Sequence, residues 1–193
     1  VDDFARIDEC LQGRPEAFGP LVEKYEQAVY GVVSRMISDR ETARDVAQEA
    51  FLRAYRGLAS FQRESSFATW LFRIAINLCQ SERRRTMRRR KIGGAARGWG
   101  TDPEAPEPEI PDRRFEPLGE IQGRERRELV LGAIERMQEE SRGILVLRDF
   151  QGLSYREIAD ILDCPVGTVR SRLFRARSEL RSLLEGALGG TDR

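Results

Sequence analysis

The chain contains no histidine, and its three cysteines, Cys10, Cys79 and Cys164, lie far apart. These absences exclude Ser-His and Cys-His catalysis and any zinc site of ordinary ligand spacing, so neither a metal nor another cofactor is expected. Buried, inert thiols are the expectation for all three cysteines. No apolar run approaches the length of a membrane span, and Val1-Asp2-Asp3 has the wrong charge for a signal peptide, so a cytoplasmic protein is expected. Period-two alternation is missing as well, and no strand candidate survives. Formal net charge is only +1 over 193 residues. Any charged surface must therefore come from the distribution of charge rather than its sum.

What remains is helical. A first helix is expected over about Phe4 to Leu11, ended by Gly13. A second runs from Pro15 to Ile37, with Phe18, Leu21, Val22, Tyr25, Val29, Val32, Val33 and Met36 at helical period. Ser38 and Glu41 form a capping-box pattern that opens a third helix, with Ala43, Val46, Ala47, Ala50, Ala54 and Leu58 inward. Ser65 or Ser66 opens a fourth, through Phe67, Trp70, Leu71, Ile74, Ala75 and Leu78. That helix runs into Glu82 to Lys91, which holds seven positive charges in ten residues. Composition then changes: Ile92 to Leu118 holds four glycines and five prolines, which excludes a packed element and marks a linker. Helical patterns resume over Ile121 to Gln138 and Ser141 to Phe150. The expected organisation is all-α: a helical N-terminal domain over 1–91, a Pro/Gly-rich flexible linker over 92–120, and a small helical C-terminal domain over 121–193.

The segment Gly152 to Arg177 reads as a helix-turn-helix. Ser154 and Glu157 make a second capping box before Ile158, Ala159, Ile161 and Leu162. Asp163-Cys164-Pro165 makes the turn, with Pro165 expected at the first position of the next helix. There Val169, Leu173, Ala176 and Leu180 form a narrow apolar stripe. The other side carries Arg170, Ser171, Arg172, Phe174, Arg175, Arg177 and Arg181, and Glu179 is the one acid between Val166 and Arg181. Arginine grips guanine or phosphate with two donors, and an outward ring meets a thymine methyl, so the pattern points to the DNA major groove.

Two other surfaces ask for partners. Opposite the alanine stripe of the third helix lie Asp45, Gln48, Glu49, Leu52 and Arg56, an apolar anchor with a polar rim; a solvated face with one stray leucine fits the same spacing. Phe61, Phe67 and Trp70 stand near Ser65, Ser66, Arg73 and Asn77, followed by the Arg83 and Arg84 run. Aromatics can stack on unpaired bases while arginines hold phosphates, although Phe67, Trp70 and Ile74 also fit a helix core.

Three segments together resemble the bacterial extracytoplasmic-function sigma factors, alternative subunits of RNA polymerase, and are most similar to the envelope-stress sigma-E branch. They are Asp45-Val-Ala-Gln-Glu-Ala-Phe51, Phe61 to Asn77 (with Thr69-Trp-Leu-Phe-Arg-Ile-Ala75), and Gly152 to Arg177. The resemblance spans both domains in order. It implies a non-enzymatic factor that binds core RNA polymerase (the β′ clamp helices and β) through Asp45, Gln48, Glu49 and Leu52. It implies recognition and melting of the promoter −10 element by Phe61, Ser66, Phe67, Arg73, Asn77, Arg83 and Arg84. Reading of the −35 element would fall to Arg170, Ser171, Arg172, Phe174, Arg175 and Arg177. A membrane-bound anti-sigma factor is implied as a further partner, and no small-molecule substrate is. The linker, long for the family and carrying Gly98-Trp99-Gly100, would thread toward the RNA exit channel, its acids imitating RNA. Its span of about 90 Å at roughly 3.3 Å per residue exceeds the ~70 Å of two DNA turns. Two other readings remain open on the residues: a stand-alone helix-turn-helix regulator acting as a dimer, and a DNA-processing enzyme, for which Ser65, Ser66 and Tyr55 are available by type alone.

Overall fold

The computed structural model describes residues 2–92 and 120–189, and the described residues form helices and turns without a strand. The expected linker therefore lies almost entirely outside the described residues, and so do Gly98, Trp99 and Gly100.

Helix α1 (Asp3–Leu11) is capped by the Asp2 carboxylate, which accepts from the Phe4 N–H. Gly13, at φ +89°, ends it in a conformation that side chains disfavour. The expected single helix from Pro15 divides: a 3₁₀ turn over Pro15–Phe18 precedes α2 (Gly19–Met36). Proline occurs at the start of each piece, where its missing N–H leaves no orphan. Helix α3 (Arg40–Arg56) is capped by Asp39, not by Ser38 as the capping-box pattern suggests. The Asp39 carboxylate accepts from the Thr42 N–H (2.8 Å) and the Thr42 hydroxyl. A charged acceptor beside the positive end of the helix outcompetes the neighbouring hydroxyl. Its carboxyl is accordingly held below its usual value, first by the hydroxyl and then by the backbone N–H.

A 3₁₀ turn (Leu58–Ser60) and a loop lead to α4 (Phe67–Ile92). Ser66 opens it, accepting from the Thr69 N–H at 3.1 Å. The helix continues through the arginine run, as expected. After the linker come α5 (Glu120–Arg136), α6 (Glu139–Leu145), α7 (Tyr155–Leu162) and α8 (Val166–Gly189). The expected helix through Phe150 does not stay α-helical. Val146–Phe150 widens to a π turn, closed by the Gln151 N–H on the Val146 carbonyl, and Gly152 at φ +69° releases the chain into α7.

Leu21, Val29, Val32, Val33, Ala43, Ala50, Ala54, Phe67, Leu71 and Ala75 fill the space between α2, α3 and α4. Ile144, Leu145, Leu147, Ile158, Val169, Leu173 and Ala176 do the same for α6, α7 and α8. The two cores meet. Helix α7 lies against α4, and α2 touches α5 and α6. Gly143 of α6 packs beside Met36 of α2; a Cβ at 143 would stand 3.6 Å from Met36 Cε, an ordinary contact distance.

Candidate nucleic-acid interface

Helices α7 and α8 are set by local chemistry. The Ser154–Glu157 capping box forms in full: the Glu157 N–H donates to Ser154 Oγ (3.2 Å) and the Ser154 N–H to Glu157 Oε2 (2.8 Å). Asp163 takes the left-handed conformation at φ +48° between the helices, a position short polar side chains tolerate. Pro165 sits one residue earlier than expected. It precedes the first helical residue, and its carbonyl accepts from Thr168 and Val169.

Val169, Leu173 and Ala176 are buried as the stripe requires. Phe174 is 78% exposed, the most exposed large apolar side chain described. Arg170, Ser171 and Arg175 stand out beside it, and Arg172 is half-buried. A shallow groove of about 360 Å³ runs along this side between Tyr155, Arg170, Phe174, Ser178 and Arg181. Arg177 also borders it, but its guanidinium is held by Asp149 through Nη2–Oδ1 (2.6 Å) and Nε–Oδ2 (3.2 Å). It is thus not the free donor that the sequence suggests. Asp149 was not singled out in the sequence; it lies 28 residues away on the π turn, and no periodicity links the two.

On the N-terminal side the expected residues run from the loop before α4 to beyond its middle, and the structure sorts them differently. Phe67 is 1% exposed and packs against Phe18, Tyr25, Phe61 and Trp70. It is a core ring and cannot stack on a base in this structure; helical spacing with Trp70 and Leu71 prevails over its place beside polar neighbours. Phe61 is half-buried, 5.0 Å from the Trp70 ring and stacked on Phe4 at 6.3 Å. Ser66 caps the helix, its hydroxyl 2.8 Å from that of buried Thr69. Arg73 is half-buried, while Asn77 and Arg84 are exposed. At about 100° per residue, Arg73, Asn77 and Arg84 share one stripe of α4. Arg83 lies off that stripe, and its Nε is 3.3 Å from Glu139 Oε2.

The outer face of α3 is open. Asp45 and Gln48 are exposed, Leu52 is 43% exposed, and Glu49 pairs with Arg53 (2.7 Å) on the same helix.

The cysteines are free thiols, but only Cys79 is buried; Cys10 and Cys164 are half-buried, against the expectation for all three. Burial pushes Cys79 up to about 12, with the Glu139 carboxylate adding to it, so at neutral pH it is the unreactive thiol. Burial also raises Cys10, followed by Glu9 and Glu16. Among the described residues no three potential ligands gather for a metal, and no helix is long and apolar enough to cross a membrane.

Two family models match the chain, Sigma-70 region 2 over residues 21–89 and Sigma-70, region 4 over residues 127–180. The sequence is 38% identical to the RNA polymerase sigma-H factor of Pseudomonas aeruginosa, over 96% of this chain and 95% of that protein. It is also 38% identical to the ECF RNA polymerase sigma-E factor of Escherichia coli K12, over 93% of each. Among solved structures, the sigma factor RpoE of Bartonella quintana, in complex with the anti-sigma factor NepR, is similar with a TM-score of 0.67 and 25% identity, over 91% of this chain and 98% of that one. CnrH, solved with the cytosolic domain of CnrY, shares the fold at a TM-score of 0.68 and 24% identity, over 96% of this chain and 99% of that one.

Proposed function

The chain belongs to the extracytoplasmic-function sigma factors, non-enzymatic proteins that direct transcription initiation, and from that premise we propose how its surfaces divide the work. Helix α8 reads the −35 element as duplex, with Arg170, Ser171, Phe174 and Arg175 toward the major groove and Arg172 at its edge. The observation that carries this is Phe174, held outward among arginines while Val169, Leu173 and Ala176 anchor the opposite stripe. Arg177, clamped by Asp149, fixes the rim of the groove or meets a phosphate.

The stripe of Arg73, Asn77 and Arg84 on α4, with Phe61 and Ser66 at its entrance, holds the unpaired −10 strand. Phe67 supports that surface from beneath. Capture of an extruded base offsets the few kcal/mol needed to unstack it, so strand separation needs no enzymatic step. Asp45, Gln48, Glu49 and Leu52 dock on the β′ clamp helices of core polymerase, with β as a further contact, and the linker over 92–120 connects the two DNA readers. An anti-sigma factor, such as the NepR bound to the similar sigma factor RpoE of Bartonella quintana, is the controlling partner, anchored in the membrane. The chain itself works in the cytoplasm.

Permanganate reactivity of thymines tests this reading. Unpaired thymines should appear near −10 only when core polymerase and the chain are both present. A duplex footprint by the chain alone, at a palindrome and without opening, would favour the stand-alone regulator instead.

A further inference from the structure

The loop before α4 is held by few contacts of its own. Among the described residues, Gln62, Arg63, Glu64 and Ser65 make no backbone–backbone hydrogen bond. Arg63 nevertheless sits at φ +59°, in the left-handed region that side chains disfavour. Asp163 is the other described residue besides glycine that does so. Such a conformation persists only where surrounding groups hold it. The proposed function gives both ends of this loop, Phe61 and Ser66, to the unpaired −10 strand.

The holding groups come from α1, far earlier in the chain. The Asp8 carboxylate accepts from Arg63 Nη2. The Arg63 guanidinium also lies over the Phe4 ring, its Cζ 5.6 Å from the centroid. Phe4 in turn stacks on Phe61 at 6.3 Å with the ring planes 12° apart, and Phe61 meets Trp70 of α4 at 5.0 Å. Phe4 and Asp8 are one helical turn apart, so both act from the same face of α1. The helix itself is well anchored. Ile7 is buried in the core, and Asp3 accepts from Lys24 Nζ (2.6 Å) and from the Tyr25 hydroxyl (2.5 Å) of α2. Helix α1 is thus fixed at its base and reaches the loop with a carboxylate and a ring. The side chains of Arg63 and Asp8 are 40% and 47% exposed. An ion pair that open adds little to folding stability, so its consequence lies in the shape of the loop.

We infer that α1 is a positioning element of the −10 site: Asp8 tethers Arg63 in its left-handed conformation and Phe4 backs the Phe61 ring, so that the loop is shaped before an unpaired base arrives. Asp8 and Phe4 act through Arg63 and Phe61 without touching the strand. Shape set in advance favours binding, because a loop ordered only on contact subtracts its ordering cost from affinity. This inference rests on the assignment of Phe61 and Ser66 to the −10 strand.

Competition binding by the assembled holoenzyme tests it, with a labelled fork DNA from a promoter that the holoenzyme uses, single-stranded through its −10 segment. Asp8→Ala removes a negative charge, so electrostatics alone would tighten binding to a polyanion. Loss of the tether weakens it instead, by roughly two- to fivefold, the range that an exposed pair supplies. Arg63→Ala should weaken it to a similar degree, because an untethered alanine leaves the left-handed region. Arg63→Gly should bind close to the parent, since glycine takes that conformation freely. This rescue separates loop shape from charge. Were Arg63 a phosphate contact, alanine and glycine would lose binding equally and Asp8→Ala would gain it. Melting temperature, assembly with core polymerase and the affinity of the free chain for a −35 duplex should stay at parent values in all three variants. Tighter or unchanged binding by Asp8→Ala, equal losses for alanine and glycine at 63, or a fall in melting temperature that tracks the loss would overturn the positioning role. Phe61→Ala checks the underlying assignment. Binding lost in Phe61→Ala but kept in Asp8→Ala removes α1 alone from the site. Binding kept in Phe61→Ala removes the strand from this loop, and the inference with it.

Discussion

Arg175 and Arg177 are two positions apart on α8 and differ in what holds them. Asp149 grips Arg177 with two hydrogen bonds, whereas among the described residues no carboxylate is paired with Arg175. A free guanidinium beside an outward phenyl ring is suited to base edges, and a clamped one to shape. Arg175→Ala should therefore weaken binding of the −35 duplex by about 1–3 kcal/mol relative to scrambled DNA, as measured by competition at fixed salt. Equal loss on both duplexes would reduce Arg175 to a phosphate contact. Asp39 gives a prediction about stability. Its carboxyl is depressed by the Thr42 hydroxyl and N–H, so the ionised form is favoured in the folded state. The cap then adds its full stability above the unfolded carboxyl value of about 3.9 and loses it as pH falls through the lower folded value. Asp39→Ala should cost about 1 kcal/mol at neutral pH, with the gap to the parent closing in acid, while Asp39→Asn keeps most of the cap. A gap independent of pH in thermal melts would contradict the charged cap.

At the scale of the element, α3 shows an apolar anchor that the fold does not need. Leu52 is 43% exposed while Ala47, Ala50 and Ala54 carry the buried side. Leu52→Asp should abolish co-elution with core polymerase and leave the melting temperature nearly unchanged; normal assembly of that variant would remove the docking role from this face. Elements of this kind are legible in sequence because helical period and caps are local. The Ser154–Glu157 box could be read directly, and so could the stripe of Val169, Leu173 and Ala176. The exact helix starts are less legible: Asp39 rather than Ser38 caps α3, and Pro165 precedes α8 rather than opening it, because adjacent residues compete at a helix start and only the folded chain decides between them. Phe67 shows the harder case. Its neighbours in sequence are polar, and its neighbours in space are Phe18, Tyr25 and Trp70. Spacing alone left both readings open, and burial decides for the core.

The whole molecule carries what sequence patterns do not. Arg142 reaches Met36 across 106 positions, and Arg83 reaches Glu139 across the linker. Neither pairing leaves a periodic trace, since each side chain fits an ordinary helix surface when read alone. The helical make-up of both halves is readable from composition and period, and their packing into one core is not. In the proposed function both halves act together, each reading one promoter element for one polymerase. Transcription by sigma-free core polymerase from a randomised promoter library, with and without the chain, tests it most directly. Start sites should depend on the chain and be preceded by two shared elements at fixed separation, with the upstream one altered in the Arg175→Ala protein. Initiation that is independent of the chain, or that requires a single palindromic element, would contradict it.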